Sequence, residues 1–292
     1  MFSIFDLAIH LTVDYVKGGI GLKPHLIVLD LDGTLLTDDK VITEKTVHSI
    51  QKAKQQGHHV MFATGRPYRA TESYYHQLGL NTPVVNFNGA FVHHPLDSSW
   101  KTIHETLSLS LVKEVMDAMQ QFPWHNVVAE VLDDVYVHYH DEKVLNNFKK
   151  MGQSNVTTGD LQQYLQDDPT SILIQADESD ITAIQSHLSQ VHAEVVGHRF
   201  WNAPWGHVVE VFRSGLSKAA GLAHVSKWMD IPKERIIAFG DENNDLEMID
   251  YVGHGVAMAN GIDELKSIAD EVTKATNNED GIAEVLNNRL KL

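Results

Sequence analysis

The chain has 292 residues, no cysteine and a formal net charge of −16 at pH 7. Its length is enough for about two domains, and the lack of cysteine excludes disulfides and thiolate metal sites and favours a reducing cytoplasm. The acidic balance argues against a nucleic-acid-binding surface, and no stretch reaches the ~20 apolar residues needed to span a bilayer. We therefore expect a soluble cytoplasmic protein whose partners are small molecules; the composition does not decide the oligomeric state.

The first 21 residues fit poorly with the pattern of the chain that follows. Asp6 and Asp14 interrupt their apolar stretch and no basic segment begins them, so a signal peptide is not predicted. The codons for residues 17–19 (Lys-Gly-Gly) can form a bacterial ribosome-binding sequence, and the codon for Leu22 can be a TTG start codon. We predict that residues 1–21 are a start-site artefact; the alternative is a short amphipathic helix that docks on the core or on a partner.

A continuous apolar run, Leu26-Ile27-Val28-Leu29, predicts a strand buried on both faces, and Asp30-Leu31-Asp32-Gly33-Thr34 follows at its exit. In open parallel sheets, ligands bind beyond this end of the strands. Asp30 and Asp32 lie two residues apart and point the same way, so they repel unless a divalent cation is present. One carboxylate can then attack phosphorus while the other moves a proton. The structural alternative is an Asp-Gly turn that only closes the strand.

A second apolar run, Val60-Met61-Phe62-Ala63, predicts another strand, and Thr64-Gly65-Arg66-Pro67 follows it. Pro67 suits the first turn of a helix whose amides face an anion. The alternative is that Thr64 only caps that helix and Gly65 only forms a turn. This segment alone is therefore a weak indication of a phosphate site.

Two later segments complete the set of motifs. Lys218 lies within the segment 214–222, where a helix is predicted to begin. The run Ile236-Ile237-Ala238-Phe239 predicts a further buried strand, and the acid-rich segment 240–245 follows it. Acidic oxygens at a strand exit suit octahedral Mg²⁺. The alternatives are a solvated lysine and a helix N-terminus that favours acids because of the helix dipole.

Taken in this order, the four segments resemble the motifs of the haloacid dehalogenase superfamily. The segments 214–222 and 88–90 (Asn-Gly-Ala) are similar to its Cof-type branch, which carries a type IIB cap. The resemblance implies an α/β fold with a doubly wound, mostly parallel sheet and an inserted α+β cap domain. It also implies a Mg²⁺-dependent phosphatase that hydrolyses small phosphorylated metabolites through an aspartyl-phosphate.

The resemblance also implies a role for each motif residue. Asp30 is the expected nucleophile, Asp32 the acid and base, and Lys218 the cation between nucleophile and phosphate. The expected Mg²⁺ ligands are Asp30, Asp241 and the main-chain carbonyl of Asp32. Asp245 is expected near Lys218, and phosphate contacts are expected from Leu31, Thr64, Gly65, Lys218 and Asn244. Since ATPases of the superfamily have Thr in place of Asp32, an ATPase is excluded; a phosphomutase and a non-catalytic phosphometabolite sensor are the alternatives.

The segment between the second and third motifs is predicted to form the cap. We expect core residues 22–90 and 212–292 to flank a cap of residues 91–211, built as an open antiparallel sheet with helices on one face. Its predicted strands include 135–139, 171–175 and 206–211, and its predicted helices are 111–121 and 181–191. Substrate specificity is expected to depend on Arg66 and Asn88 in the core and on Arg199 and Trp201 in the cap.

Overall fold

The computed structural model describes residues 23–191 and 196–292, so the predicted start-site artefact at residues 1–21 lies outside them. The chain first forms β1 (Leu26–Leu29), α1 (Glu44–Gln55), β2 (His59–Phe62), α2 (Glu72–Gln77), β3 (Val84–Asn86), β4 (Phe91–His93) and β5 (Ile103–His104). It continues through α3 (Leu109–Met119), β6 (Asn126–Val131), β7 (Asp134–Val137), α4 (Glu142–Lys150), β8 (Val156–Thr158), α5 (Leu161–Tyr164), β9 (Ser171–Ala176), α6 (Glu178–Val191), β10 (Val196–Ala203) and β11 (Gly206–Arg213). The last elements are α7 (Lys218–Trp228), β12 (Ile236–Gly240), α8 (Leu246–Tyr251), β13 (His254–Ala257), α9 (Asp263–Ile268), β14 (Glu271–Val272) and α10 (Gly281–Leu290).

The core sheet is parallel, with the strand order β14-β13-β12-β1-β2. Leu29, the last residue of β1, lies opposite Phe239 of β12 and Phe62 of β2. The motifs that follow these three strands therefore emerge at one edge of the sheet. This arrangement confirms the predicted convergence of the first, second and fourth motifs.

Helices cover both faces of the core sheet, because β1 is apolar on both faces. Ile27 and Leu29 face a cluster that includes residues of α1 and α10, whereas Leu26 and Val28 face a second cluster with α7, α8 and α9. All four side chains are fully buried. The doubly wound α/β core is therefore confirmed.

The α-helix whose first turn was expected at Pro67 does not begin there. Pro67 has extended backbone, φ −65° and ψ 160°, and precedes a 3₁₀ turn over Tyr68–Ala70 rather than lying inside an α-helix. The carbonyl of Arg66 accepts hydrogen bonds from the Phe87 amide and the Asn86 side chain, so it is not available to an α-helical ladder. The prediction of an anion-facing helix at this point was therefore wrong.

The cap sheet has the strand order β10-β11-β9-β6-β7-β8, and it departs from the prediction in two ways. The pair β7–β8 is parallel, whereas the other pairs are antiparallel. Helices α3 and α6 pack on one face, while α4 packs on the other, where Phe148 meets Val128 and Leu173. Since all six residues of β9 are buried, both faces of the sheet need cover.

Strand pairing also bears on where the cap begins. Strand β4 pairs with β3 and β5 pairs with β4, and an isolated bridge from Ala63 to Val85 joins β3 to the motif edge of the core. The segment around Phe91 thus extends the core side, and pairing favours a cap that begins near residue 105. The division at residues 91 and 211 stays a prediction.

Within the described ranges, no helix is long and apolar enough to cross a membrane.

Candidate active site

Three carboxylates meet at the motif edge of the core sheet. Asp30 follows β1, and Asp241 and Asp245 follow β12; one carboxylate oxygen of each lies within 4.8 Å of the others. Burial, together with the neighbouring carboxylates, raises the pKa of Asp30 well above its usual range. Burial also raises the pKa of Asp241 to about 7. The cluster thus concentrates more negative charge than this buried position tolerates without a cation.

Lys218 supplies one positive charge to this cluster. It is the first residue of α7, and the Ser217 side chain caps the helix by accepting a hydrogen bond from the Ala220 amide. The Lys218 ammonium is fully buried and donates to Asp30 Oδ1 and to Asp245 Oδ1, both at 2.7 Å. Although burial lowers the pKa of Lys218, the two carboxylates outweigh it and hold that pKa above its usual value. The side chain therefore stays charged.

Asp245 supports the site rather than facing an open position in it. Its Oδ2 accepts hydrogen bonds from the main-chain amides of Asp241 and Glu242 at 3.0 and 3.2 Å. Its Oδ1 accepts the Lys218 bond. Because both oxygens are engaged, Asp30 and Asp241 are the side chains best able to bind a cation.

The Asp-Gly-Thr part of the first motif holds Asp241 in place. Thr34 Oγ1 donates to Asp241 Oδ1 at 2.7 Å. Gly33 has φ +74°, and a Cβ there would lie 2.1 Å from Asp241 Oδ2, so only glycine fits. Asn260, which sequence reasoning missed, donates from Nδ2 to the Gly33 carbonyl at 2.7 Å. No motif marks Asn260, because it lies in an ordinary loop after β13.

The donor set fits a divalent metal ion. Asp30 and Asp241 provide hard carboxylate oxygens, and their raised pKa values indicate negative charge that one lysine does not neutralise. Mg²⁺ prefers such oxygens and binds with only one or two protein carboxylates, so the site does not need a further side chain. Asp32 would contribute only its main-chain carbonyl, because its side chain lies outside the cluster of three.

The Asp32 carboxylate is held by two cations instead. Arg66 donates from Nε to Oδ2 at 2.5 Å and from Nη2 to Oδ1 at 2.6 Å, and Lys40 donates to Oδ1 at 2.7 Å. Burial alone would raise the pKa of Asp32, but Arg66 and Lys40 outweigh it and lower that pKa to about 2. The sequence indicated Arg66 as a specificity residue and missed Lys40, which reaches Asp32 from a turn where Lys40 has φ 60°.

The expected phosphate-contacting residues Thr64, Gly65 and Asn244 follow β2 and β12 and lie around Asn88. Buried Thr64 directs its hydroxyl to the Arg66 amide, from which it accepts a hydrogen bond at 3.2 Å. Asn244 donates from Nδ2 to Asn88 Oδ1 at 2.9 Å, and a Cβ on Gly65 would lie 3.0 Å from Asn88 Nδ2. The side chain of Leu31 is buried in the core, so only its main chain can face a ligand.

The two predicted cap residues lie on β10, and their described contacts are with other cap residues. Arg199 stands opposite Glu210 on β11, with its guanidinium carbon 4.3 Å from the centre of the Phe212 ring. Its Nη1 is buried without a hydrogen-bond partner among the described residues. Trp201 packs against the cluster beneath α4. Whether either side chain reads a substrate stays a prediction.

The site and the fold agree with what comparison of the whole chain finds. Residues 27–286 match the family model of haloacid dehalogenase-like hydrolases. The chain belongs to this family. It is 57% identical over 264 residues to the 5-amino-6-(5-phospho-D-ribitylamino)uracil phosphatase YitU of Bacillus subtilis, a match that covers 90% of this chain and 97% of YitU.

Two further relatives support the assignment. The pyridoxal phosphate phosphatase YbhA of Escherichia coli is 27% identical, with 92% of this chain and 100% of YbhA covered. The crystal structure of a haloacid dehalogenase-like hydrolase from Bacteroides thetaiotaomicron superposes with a TM-score of 0.79 at 25% identity, covering 91% of this chain and all of that one. The predicted Cof-type family, fold class and phosphatase activity are confirmed, and the protein is a phosphatase that acts on small phosphorylated substrates.

The carboxylate cluster predicts a pH-dependent stabilisation by Mg²⁺. Because Asp241 has a folded pKa of about 7 against 3.8 normally, the metal-free protein loses stability as pH rises from about 4 to about 7. A divalent cation such as Mg²⁺ would bind the deprotonated form and offset this loss. Saturating MgCl₂ should therefore raise the Tm by at least ~2 °C more at pH 8 than at pH 5, the shift that about 1 kcal/mol gives in a protein of this size. Calorimetry with Asp241→Asn as control checks this; equal increases at both pH values would contradict it.

Proposed function

We propose that this phosphatase is Mg²⁺-dependent, forms an aspartyl-phosphate on Asp30 and hydrolyses 5-amino-6-(5-phospho-D-ribitylamino)uracil. The 57% identity to YitU across nearly all of both chains carries the choice of substrate. The buried Asp30–Lys218 pair beside Asp241 supports the choice of mechanism. We place the enzyme in the cytoplasm, because a chain without cysteine suits a reducing compartment.

Asp30 is positioned to act as the nucleophile. Lys218 holds one oxygen of its carboxylate at 2.7 Å, which fixes its orientation and leaves the other oxygen for attack on phosphorus. The Lys218 charge also offsets the repulsion between this carboxylate and the incoming phosphate. A bound Mg²⁺, held by Asp30, Asp241 and the Asp32 carbonyl, would neutralise phosphate charge and orient the phosphoryl group. Thr64 and Asn244 would hold the remaining phosphate oxygens.

Asp32 serves as the acid and base of the two steps. As an acid it protonates the leaving oxygen of the substrate, and as a base it removes a proton from the water that hydrolyses the aspartyl-phosphate. The carboxylate form that Arg66 and Lys40 stabilise suits the second role. For the first role Arg66 has to loosen its bidentate contact, and a substrate phosphate is an alternative partner for its guanidinium.

A substrate panel tests the proposed function directly. With MgCl₂, we expect the purified enzyme to hydrolyse 5-amino-6-(5-phospho-D-ribitylamino)uracil with a kcat/KM at least about tenfold above that for pyridoxal phosphate or hexose phosphates, because an additional matched contact is worth this much. EDTA should abolish the activity. Release of inorganic phosphate is the measurement. Equal turnover of all compounds would contradict the substrate, phosphoryl exchange between sugar positions would favour the phosphomutase, and binding without turnover would favour a sensor.

The nucleophile is tested by Asp30→Asn, which keeps the shape of the side chain. We expect kcat to fall at least about a thousandfold while the fold is retained, since the amide cannot attack phosphorus. Initial rates with p-nitrophenyl phosphate and a circular dichroism spectrum provide the measurements. Asp39→Asn, an exposed change in the loop that follows β1, is the control and should keep full activity. Substantial turnover by Asp30→Asn would contradict covalent catalysis at this residue.

The predicted role of the cap is tested on β10. Arg199→Ala and Trp201→Ala should change the ranking of substrates in the panel, because a guanidinium and an indole can read a heterocycle or sugar hydroxyls. Turnover of p-nitrophenyl phosphate should change little. Phe200 lies between them on the opposite face of the strand, so Phe200→Ala is the matched control. If the ranking stays the same in both variants, the two side chains are structural.

A further inference from the structure

Arg69 reaches from the core into the cap. Its side chain is only 2% exposed, and its Nη2 donates to Glu130 Oε1 on β6. Its Nη1 donates to the Leu132 carbonyl at 2.8 Å, and its main-chain amide donates to Asp133 Oδ1 at 3.2 Å. One core residue thus binds the strand and the tip of the β6–β7 hairpin. Arginine at this position carries no motif signal in the sequence.

The hairpin tip that Arg69 binds is strained. Leu132 has φ +53°, a left-handed conformation that a leucine rarely adopts. Such a conformation persists only where the surroundings hold it. Arg69 binds the Leu132 carbonyl, and the Leu132 amide donates to Thr170 Oγ1 at 3.2 Å, so both main-chain groups are engaged. The position of this tip therefore depends on Arg69.

A second part of the cap closes around the same residue. The Arg69 guanidinium carbon lies 5.9 Å from the centre of the Phe148 ring on α4. Beyond the end of α4, Gly152 has φ +106°, and a Cβ there would lie 2.3 Å from the Arg69 carbonyl oxygen. The cap backbone thus approaches Arg69 as closely as glycine allows. Movement of the cap relative to the core has to displace Arg69 or break these contacts.

The segment that carries Arg69 also holds Asp32. Arg66 binds Asp32 through two hydrogen bonds, and its Nη1 donates to the carbonyl of Ala70 at 3.2 Å. The five residues 66–70 therefore contact the catalytic carboxylate at one end and the cap at the other. A displacement of Arg69 shifts Ala70, which is one of the partners that fixes the Arg66 guanidinium.

We propose that Arg69 is a positioning residue that couples the position of the cap to the hold of Arg66 on Asp32. The inference rests on the proposed role of Asp32 as proton donor. The buried Arg69–Glu130 pair is not explained by stability alone, because apolar side chains of similar volume often stabilise a protein as well as a buried ion pair does. Arg69 joins Glu130 in the cap to the segment that holds Arg66, so a movement of the cap over a substrate changes how Arg66 binds Asp32.

The test compares two leaving groups in the first turnover. Departure of p-nitrophenolate needs no proton, whereas the alkoxide leaving group of 5-amino-6-(5-phospho-D-ribitylamino)uracil needs one. Arg69→Met should slow release of the alcohol about tenfold or more, and release of p-nitrophenolate less than about threefold, because only the former depends on a well-placed Asp32. In an Arg66→Lys background, Arg69→Met should leave the ratio of the two rates unchanged. Lysine cannot make the bidentate contact of Arg66 with Asp32, so the link from Arg69 to Asp32 is already broken.

Two variants keep the test decisive. Arg213→Gln breaks the exposed Arg213–Glu105 pair near the boundary of core and cap, and it should leave the ratio of rates unchanged. If Arg69→Met does not fold, Glu130→Gln replaces it, since it keeps the size of the side chain and removes the charge.

Equal slowing of both leaving groups, or the same ratio change in the Arg66→Lys background, would overturn the inference. No turnover of either compound by the unchanged enzyme would overturn the proposed function as well.

Discussion

The buried ammonium of Lys218 is the interaction on which the site depends. It lies between Asp30 and Asp245, which follow two neighbouring strands, β1 and β12, and it comes from the first turn of α7. Removing one partner of such a buried pair typically costs about 3–5 kcal/mol, because an uncompensated charge is left behind. The positions of both strands and of the helix are therefore linked through one side chain. The same constraint orients the Asp30 carboxylate.

Two aspartates of one motif acquire different properties from their surroundings. Asp30 is buried among carboxylates, and its pKa is raised. Asp32 lies two residues further on, in contact with Arg66 and Lys40, and its pKa is lowered to about 2. Opposite shifts of paired carboxyl groups give the two residues different protonation behaviour and so allow them different roles. Asp32, the proposed proton-transferring residue, is also the one whose partner, Arg66, lies on the segment that contacts the cap.

The sequence was sufficient where local pattern decides structure. Continuous apolar runs marked the buried strands, and acidic or hydroxyl residues directly after them marked the edge where Asp30 and Asp241 meet. It was insufficient where contacts join distant segments. Lys40 and Arg69 look like ordinary surface cations, because their partners are set by a left-handed turn and by the docking of the cap. The second helical layer of the cap was missed, since α4 covers a face whose buried apolar residues come from four different strands.

The proposed mechanism requires that Asp30 accept the phosphoryl group. The most direct measurement is rapid acid quenching of the enzyme during turnover with MgCl₂, followed by proteolysis and mass spectrometry of the peptide that contains Asp30 and Asp32. We expect a phosphoryl adduct on Asp30 that forms within the first turnover and disappears when the substrate is exhausted. Absence of this adduct under conditions in which phosphate is released, or its location on another residue, would contradict covalent catalysis at Asp30.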